Sequence, residues 1–143
     1  MKVLSLTEPY ATIIKEGKKK IETRSWKTNY RGKLYIHASS TKISKECREN
    51  EELMKLVDID NLNYGYIVCV CELVDCVEMT DEFIEKVRQN KDEYISGDYA
   101  IGRYAWILND VKILDKPIKV KGHLGIWNLD KWLTNYILNE TVV

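Results

Sequence analysis

Apolar residues in the first part of the chain follow a strand spacing and then a helix spacing. Residues 2–6 alternate between apolar and polar, which predicts a first strand. A helix is predicted next, because apolar side chains recur at i, i+3 and i+4 from Tyr10 and Gly17 offers a stop. Thr7 is of the residue type expected at the N-cap of this helix. The pattern therefore predicts a strand followed by a helix.

The rest of the chain carries further segments of both kinds. β-rich runs between turn residues predict five more strands, at 20–26, 33–37, 65–79, 104–114 and 118–121. Amphipathic spacing predicts three more helices, at 44–57, 81–89 and 129–138, the second capped by Thr80 or Asp81. Strands and helices do not alternate regularly, so an α+β domain built on a barrel or curled sheet is favoured over a doubly wound parallel sheet.

The segment 65–79 is apolar on both faces of its predicted strand, which indicates a central position in the sheet. Alternation divides its apolar side chains between two faces, Ile67, Cys69, Cys71 and Leu73 on one and Val68, Val70, Val74 and Cys76 on the other. Glu72 interrupts this pattern. Because a buried carboxylate needs a partner, we expect Glu72 to pair with an arginine or lysine of a binding cleft.

Length and composition fit one folded domain. The 143 residues hold 45% hydrophobic and 31% charged side chains, without a linker, a repeat or an apolar stretch long enough to span a membrane. We predict a single domain over 1–143, with a barrel core over about 1–129 and a C-terminal helix over about 129–139. The free thiols and an N-terminus that turns polar early favour a cytoplasmic location.

The cysteines and tryptophans are candidates for the core. Three of the four cysteines fall in the apolar strand and are predicted to pack as buried thiols. A Cys-x-Cys pair could ligate zinc, but only His37 and His123 remain to complete four ligands, so a metal or redox role ranks second. We expect no metal and no cofactor. Trp106 and Trp127 are expected in the core because of the large area that they bury.

The net charge of zero is a sum of separate blocks. Residues 15–33 hold eight basic residues against two acids, a net charge of +6, and residues 112–123 have a net charge of +3. Residues 46–60 and 72–93 have net charges of −4 and −5. A local basic block can bind phosphates through counterion release, whereas the alternative interpretation is that these runs are solvated faces.

The most informative segment runs from Gly17 to Trp26. Lys20, Glu22 and Arg24 alternate on one face of the predicted strand, so the cations would keep Glu22 ionised and its oxygens would orient the Arg24 guanidinium. The guanidinium could then bind a phosphate or a base edge, with Trp26 stacking on a base. The alternative is an edge strand with ordinary ion pairs.

Several motifs in this order resemble the ASCH family. They are Thr7-Glu-Pro-Tyr-Ala11, Gly17-x-Lys19-x-x-Glu22-x-Arg24-x-Trp26, and the segments 31–38, 65–76, 104–106 and 117–127. The resemblance covers roughly residues 1–129 and implies a PUA-like mixed β-barrel with helices packed around it. It also implies a cleft between the barrel and the first helix, and a role in binding RNA or another nucleic acid.

The resemblance assigns Lys19, Glu22 and Arg24 to the cleft, near Pro9 and Tyr10. Lys19 is the family's lysine, whereas alternation favours its neighbour Lys20, and we follow the motif. The hydroxyls beside His37 could bind phosphate, although a lone histidine at a strand end is more often structural. The predicted nucleic-acid-binding residues are Lys19, Lys20, Glu22, Arg24, Trp26, Tyr10, Pro9, Ser39 and Lys121.

Some small bacterial relatives are amidohydrolases that act on acetylated cytidine, in which a lysine activates a threonine three residues later. Here that position is Glu22, so the hydroxyl nucleophile is missing and this chemistry is in doubt. Lys19 and Glu22 could still act as an acid–base pair in a ribonuclease or a nucleoside-processing enzyme, which we rank below binding. A third hypothesis is a protein partner docked on the acidic segment 81–93.

Overall fold

The computed structural model describes residues 1–129. Its six strands are β1 (Lys2–Leu6), β2 (Ile21–Arg24), β3 (Gly32–Ala38), β4 (Tyr66–Glu78), β5 (Tyr104–Lys119) and β6 (Ile126–Asn128). Its helices are α1 (Tyr10–Lys15), α2 (Lys45–Glu49), α3 (Glu51–Met54), α4 (Asp81–Arg88) and α5 (Lys91–Ile95), with a 3-10 turn at Ile59–Asn61. The predicted C-terminal helix over 129–138 lies outside the described residues, apart from Leu129.

The strands form one mixed sheet in the order β2-β5-β4-β3-β1-β6. Within residues 1–129, only the β1–β3 pair is parallel, and the other strand pairs are antiparallel. The sheet curls into a half-barrel with helices packed around it, which confirms the predicted α+β class and barrel-like architecture. No helix within residues 1–129 has the length and apolarity needed to cross a bilayer.

β4 lies at the centre of the sheet as predicted, but its alternation is broken. The register with β5 shifts between Ile67 and Cys69, between Val70 and Glu72, and between Leu73 and Asp75. Each such irregularity changes which side chains face the core. Val68 and Cys69, which alternation assigns to opposite faces, lie in the same core cluster, whereas Ile67 lies in a second cluster and Val74 is 49% exposed. The predicted division into two apolar faces is therefore wrong.

Two strand predictions differ from the structure at the far side of the sheet. The predicted strands at 104–114 and 118–121 form one strand, β5, which continues through Pro117. Proline is tolerated there because β2 covers only the start of β5, at residues 104–107, so this part of β5 is a sheet edge. The short strand β6 was not predicted, since three residues carry little periodicity.

The helices are shorter than predicted. The segment 44–57 forms two helices, because Asn50 adopts an extended ψ of 94° and its side chain accepts a bond from the Leu53 amide. Helix α5 was not predicted. Thr7 is not the N-cap of α1, which begins after Pro9 without a side-chain cap. The predicted Thr80 cap of α4 is confirmed by its bond with the Phe83 amide.

The main core lies between the sheet and α1, and includes Trp106, Leu4, Ile14 and Leu34. Trp127 belongs to a second cluster and is 8% exposed, so both predicted core tryptophans are buried. The three β4 cysteines are buried free thiols, and burial raises the pKa of Cys69 and of Cys71 to about 12. These thiols pack as apolar groups.

Candidate functional site

A cavity of about 890 Å³ opens where the ends of three strands meet. We call it the cleft. It is formed by the C-terminal end of β1, by β2 and the residues after it, by the end of β3, and by two loops. The residues that line it are Ser5, Leu6, Thr7, Tyr10, Glu22, Thr23, Arg24, Ser25, Trp26, His37, Ser39, Ser40, Thr41, Ser96, Gly97, Asp98, Arg103, Lys121, Gly122, His123, Leu124 and Gly125.

Strand β2 enters the cleft through a turn that α5 holds in place. Gly17 ends α1 with a φ of +80°, a backbone conformation that favours glycine. The buried Glu93 carboxylate then accepts bonds from the backbone amides of Lys20, at 2.7 Å, and Ile21, at 3.2 Å. Burial raises the pKa of Glu93, while these two bonds and Lys19 act to lower it. The first residues of β2 are therefore fixed by a helix that sequence patterns did not reveal.

Lys19 is the lysine that points inward, as the motif indicates, and Lys20 is exposed. The Lys19 side chain is 1% exposed, and its Nζ donates to the Ser96 carbonyl at 2.6 Å. Burial lowers the pKa of Lys19, and the carboxylates of Glu22 and Glu93 partly oppose that effect. Lys19 does not line the cleft; it lies behind Tyr10, with Nζ 6.0 Å from the centre of that ring.

Glu22 and Arg24 form an ion pair at the cleft wall. Arg24 Nε donates to Glu22 Oε2 at 2.9 Å, which is the orientation that their spacing predicts. Arg24 Nη2 donates instead to the Ser5 carbonyl of β1, at 3.2 Å. The guanidinium lies 5.9 Å from the ring centre of the buried Trp106. Both charged groups are thus held by neighbours on one side and open to the cleft on the other.

The remaining predicted residues fall into two groups. Trp26, Tyr10, Ser39 and Lys121 line the cleft together with Glu22 and Arg24, whereas Pro9 is buried beside it and does not line it. Trp26 is 40% exposed and meets Trp106 edge to face, with ring centres 4.7 Å apart.

Glu72 does not belong to the cleft, contrary to the expectation. It is half-buried and lies opposite Lys33 of β3 and Asn109 of β5. The register shift next to Glu72 turns it away from the core that alternation alone would assign to it.

A buried histidine network forms the floor of the cleft. The fully buried His37 donates from Nε2 to the Val120 carbonyl at 2.7 Å. Its Nδ1 therefore accepts from the Ser5 hydroxyl at 2.9 Å, and that hydroxyl accepts from the Trp127 indole at 3.0 Å. Gly122 passes so close that a Cβ there would lie 2.7 Å from His37. Spacing along the chain does not indicate the contacts of Ser5 with His37 and Trp127, because these partners lie 32 and 122 positions away.

The charge of the cleft is mixed. Its lining holds the cations Arg24, Arg103 and Lys121 and the carboxylates Glu22 and Asp98. The Arg103 guanidinium already has a partner within the protein, since its Nε donates to the Asp98 carbonyl at 2.9 Å. Of the eight basic residues in 15–33, only Arg24 lines the cleft. Within residues 1–129, no group of three or more His, Cys, Asp or Glu side chains is arranged to hold a metal ion.

Comparison with known sequences identifies one family and two curated relatives. The model of the ASCH domain matches residues 4–120. The chain is 28% identical over 131 residues to Activating signal cointegrator 1 of Mus musculus, and equally to that of Homo sapiens. Each match covers 89% of this chain and 22% of the relative, so the chain spans about a fifth of the length of these curated relatives.

Comparison with solved structures identifies the same fold. The crystal structure of ASCH from Zymomonas mobilis superposes with a TM-score of 0.59 at 17% identity, and covers 98% of this chain and 94% of that one. A point mutant of the Zymomonas mobilis protein superposes with a TM-score of 0.56 at 16% identity, covering 98% and 97%. At this identity the likeness concerns the fold, which is the PUA-like half-barrel described above.

Proposed function

Because the chain belongs to the ASCH domain family, we propose that it binds RNA and that the cleft is the binding site. In this proposal Lys121 and Ser39 contact phosphate, and Trp26 or Tyr10 stacks on a base. Glu22 accepts bonds from a base or orients Arg24. Lys19 supports the wall of the cleft from behind through the Ser96 carbonyl.

The observation that carries this proposal is the meeting of three kinds of side chain at one opening. The cleft combines an exposed aromatic ring, Trp26, with cations and with hydroxyls at the ends of β1 and β3. Single-stranded nucleic acids are bound by this combination, because aromatic rings stack on bases while cations follow the backbone. A volume of about 890 Å³ fits a nucleotide with its flanking phosphates better than a duplex.

The first prediction concerns the salt dependence of binding. Lys121 is exposed at the cleft, and removing one phosphate contact from a single strand should lower the slope of log Kobs against log[salt] by about 0.7. We expect Lys121→Ala to show this loss when binding of a labelled single-stranded RNA is followed by fluorescence anisotropy over a KCl series. The matched control is Lys112→Ala, which removes an exposed lysine of β5 outside the cleft. Equal slopes for the two variants would contradict the proposal.

A second candidate function is a small enzyme acting on RNA or on a modified nucleoside. The environment of Lys19 favours it, because a lowered pKa increases the fraction of the lysine that is neutral, and only the neutral amine can act as a general base. Glu22 supplies a carboxylate close enough to affect that pKa. Lys19 and Glu22 would then transfer the proton, with Tyr10 between Lys19 and the cleft.

Turnover tests this second candidate directly. The purified protein would be incubated with acylated nucleosides and with labelled RNAs, beside the variants Lys19→Met and Lys20→Met. Methionine keeps much of the lysine volume, and Lys20 is exposed, so the enzyme hypothesis expects product from the wild type and Lys20→Met but not from Lys19→Met. Product at equal rate from all three would indicate a contaminant and reject the hypothesis, as would the absence of product from each.

A further inference from the structure

The ion pair at the cleft wall leaves hydrogen-bonding capacity unused. An arginine–carboxylate pair is often bidentate, with two parallel bonds that occupy both oxygens. Here only Arg24 Nε reaches Glu22, at Oε2, because Arg24 Nη2 is drawn to the Ser5 carbonyl. Within residues 1–129, neither Glu22 Oε1 nor Arg24 Nη1 has a protein partner, and neither is among the buried unpartnered atoms. Both atoms are therefore open to a ligand in the cleft.

The position of this pair is fixed before any ligand arrives. Glu22 and Arg24 pair with Trp106 and Tyr104 of β5 in the sheet, and the guanidinium lies over the buried Trp106 ring. The Glu22 side chain is 10% exposed and that of Arg24 is 24% exposed. Little conformational entropy is lost when such a pair binds a ligand, and its charges are poorly screened by water.

The pair presents a carboxylate acceptor beside a guanidinium donor. A ligand that matches it offers N–H groups toward the carboxylate and a carbonyl oxygen toward the guanidinium. Guanine carries this order on its Watson–Crick edge, with two adjacent N–H donors, N1 and N2, followed by the O6 acceptor. Uracil has one N–H between two carbonyl oxygens, so a carboxylate facing it meets at least one acceptor. Adenine and cytosine offer one amino group next to a ring nitrogen acceptor.

We propose that Glu22 and Arg24 read the Watson–Crick edge of an unpaired guanine, so that the cleft selects guanine at one position of a bound RNA. This inference rests on the proposed RNA-binding function and adds the base that the cleft accepts. Glu22 accepts from guanine N1 and N2, and Arg24 Nη1 donates to O6. Trp26 stacks on the base and Lys121 contacts a phosphate, and these two contacts are available whichever base is bound. Glu22 is thus the residue that determines specificity.

The test measures base preference with short RNAs that differ at one position. Hexanucleotides of uridine with guanine, inosine, adenine or cytosine at the third position would be compared with all-uridine RNA by fluorescence anisotropy. We expect guanine to bind about tenfold more tightly than uracil, because two donors meet a carboxylate. Inosine, which lacks the N2 amino group, should fall between them.

Glu22→Gln is the decisive variant. Its amide oxygen can still accept from Arg24 Nε, but the carboxylate is lost, so the advantage of guanine over uracil should fall to within about twofold. The readout is the ratio of the guanine and uracil affinities measured in the same variant, and an unchanged thermal unfolding midpoint would show that Glu22→Gln folds. Arg48→Ala, which removes an exposed arginine of α2, should keep the wild-type preference.

The outcomes of these experiments distinguish a failure of the guanine inference from a failure of the proposed RNA-binding function. Salt-sensitive binding of all the RNAs with equal affinities would overturn the guanine inference and leave the proposed function in place. A guanine preference that Glu22→Gln retains would also overturn it, because another group would then be reading the base. Failure of every RNA to bind would overturn the proposed function and this inference together.

Discussion

At the scale of the residue, the buried motif residue Glu8 supports helix α1 from outside the cleft. The carboxylate is 1% exposed, and its Oε1 accepts from the Thr12 amide at 2.9 Å. Its Oε2 accepts from the Thr12 hydroxyl and from the Asn63 amide, the latter at 2.9 Å. Glu8 therefore supplies the bonds that a side-chain N-cap would otherwise give α1, and ties this helix to the segment before β4.

Glu8→Ala is expected to lower the free energy of unfolding by about 3 kcal/mol, because it leaves two backbone amides with no carboxylate partner. Urea unfolding monitored by tryptophan fluorescence would measure the change. Glu16→Ala is the matched control, since Glu16 is exposed and its ion pair with Lys18 is worth less than about 1 kcal/mol. Similar losses in the two variants would show that the Glu8 bonds contribute little.

At the scale of elements, the His37 network links the neighbouring strands β3, β1 and β6 to the residue after β5, a strand that β4 separates from them in the sheet. His37 of β3 bonds to Ser5 of β1 and to the Val120 carbonyl just after β5, and Trp127 of β6 completes the set. Burial lowers the pKa of His37 from its ordinary value of 6.5. Burial therefore favours the neutral ring, in which Nε2 donates to Val120 and Nδ1 is left to accept from Ser5.

The network should make stability depend on pH in the range of histidine titration. As pH falls through 6.5, the unfolded state takes up a proton that the folded state does not, so the free energy of unfolding decreases, by at most about 1.4 kcal/mol per pH unit. Glu93 has a raised pKa and acts in the opposite sense above pH 4.5, where the folded state holds the extra proton. A comparison of variants is therefore needed to isolate the contribution of His37 to the pH dependence of stability.

His37→Gln should remove this decrease between about pH 6.5 and 5.5. The control His123→Gln should keep most of it, because His123 is exposed and is the smallest of the causes that lower the His37 pKa. Chemical denaturation at a series of pH values would measure the difference. A wild-type decrease that persists in His37→Gln would assign it to another group.

Sequence patterns predicted the helices and strands better than they predicted the contacts between them. The strands β1 and β3, the helix α4 and the Glu22–Arg24 pair follow from local spacing, which the residues themselves carry. Helix α5 is too short for a periodic signal, and the irregularities of β4 arise from its pairing with β5. Because of these tertiary effects, Glu72 lies outside the cleft and Glu93 fixes the start of β2 beside it.

At the scale of the whole molecule, the net charge of a segment of the sequence does not give the charge of the cleft in the folded chain. The block 15–33 has a net charge of +6, yet Lys19 is buried, Lys18 donates to the Leu56 carbonyl and Lys15 binds Asn63. These ammonium groups join the N-terminal segment to the rest of the domain. Since the cleft itself is mixed in charge, the proposed RNA binding is expected to depend on specific contacts more than on the overall field.

The pairing of β6 with β1 determines when the cleft can come into existence during synthesis. Trp127 leaves the ribosome 122 positions after its partner Ser5. At translation rates of about 5–20 residues per second, β1 waits on the order of ten seconds for its second neighbour. The floor of the cleft is therefore incomplete until residue 127 has emerged, because Trp127 is the last member of the Ser5–His37 network to be synthesised.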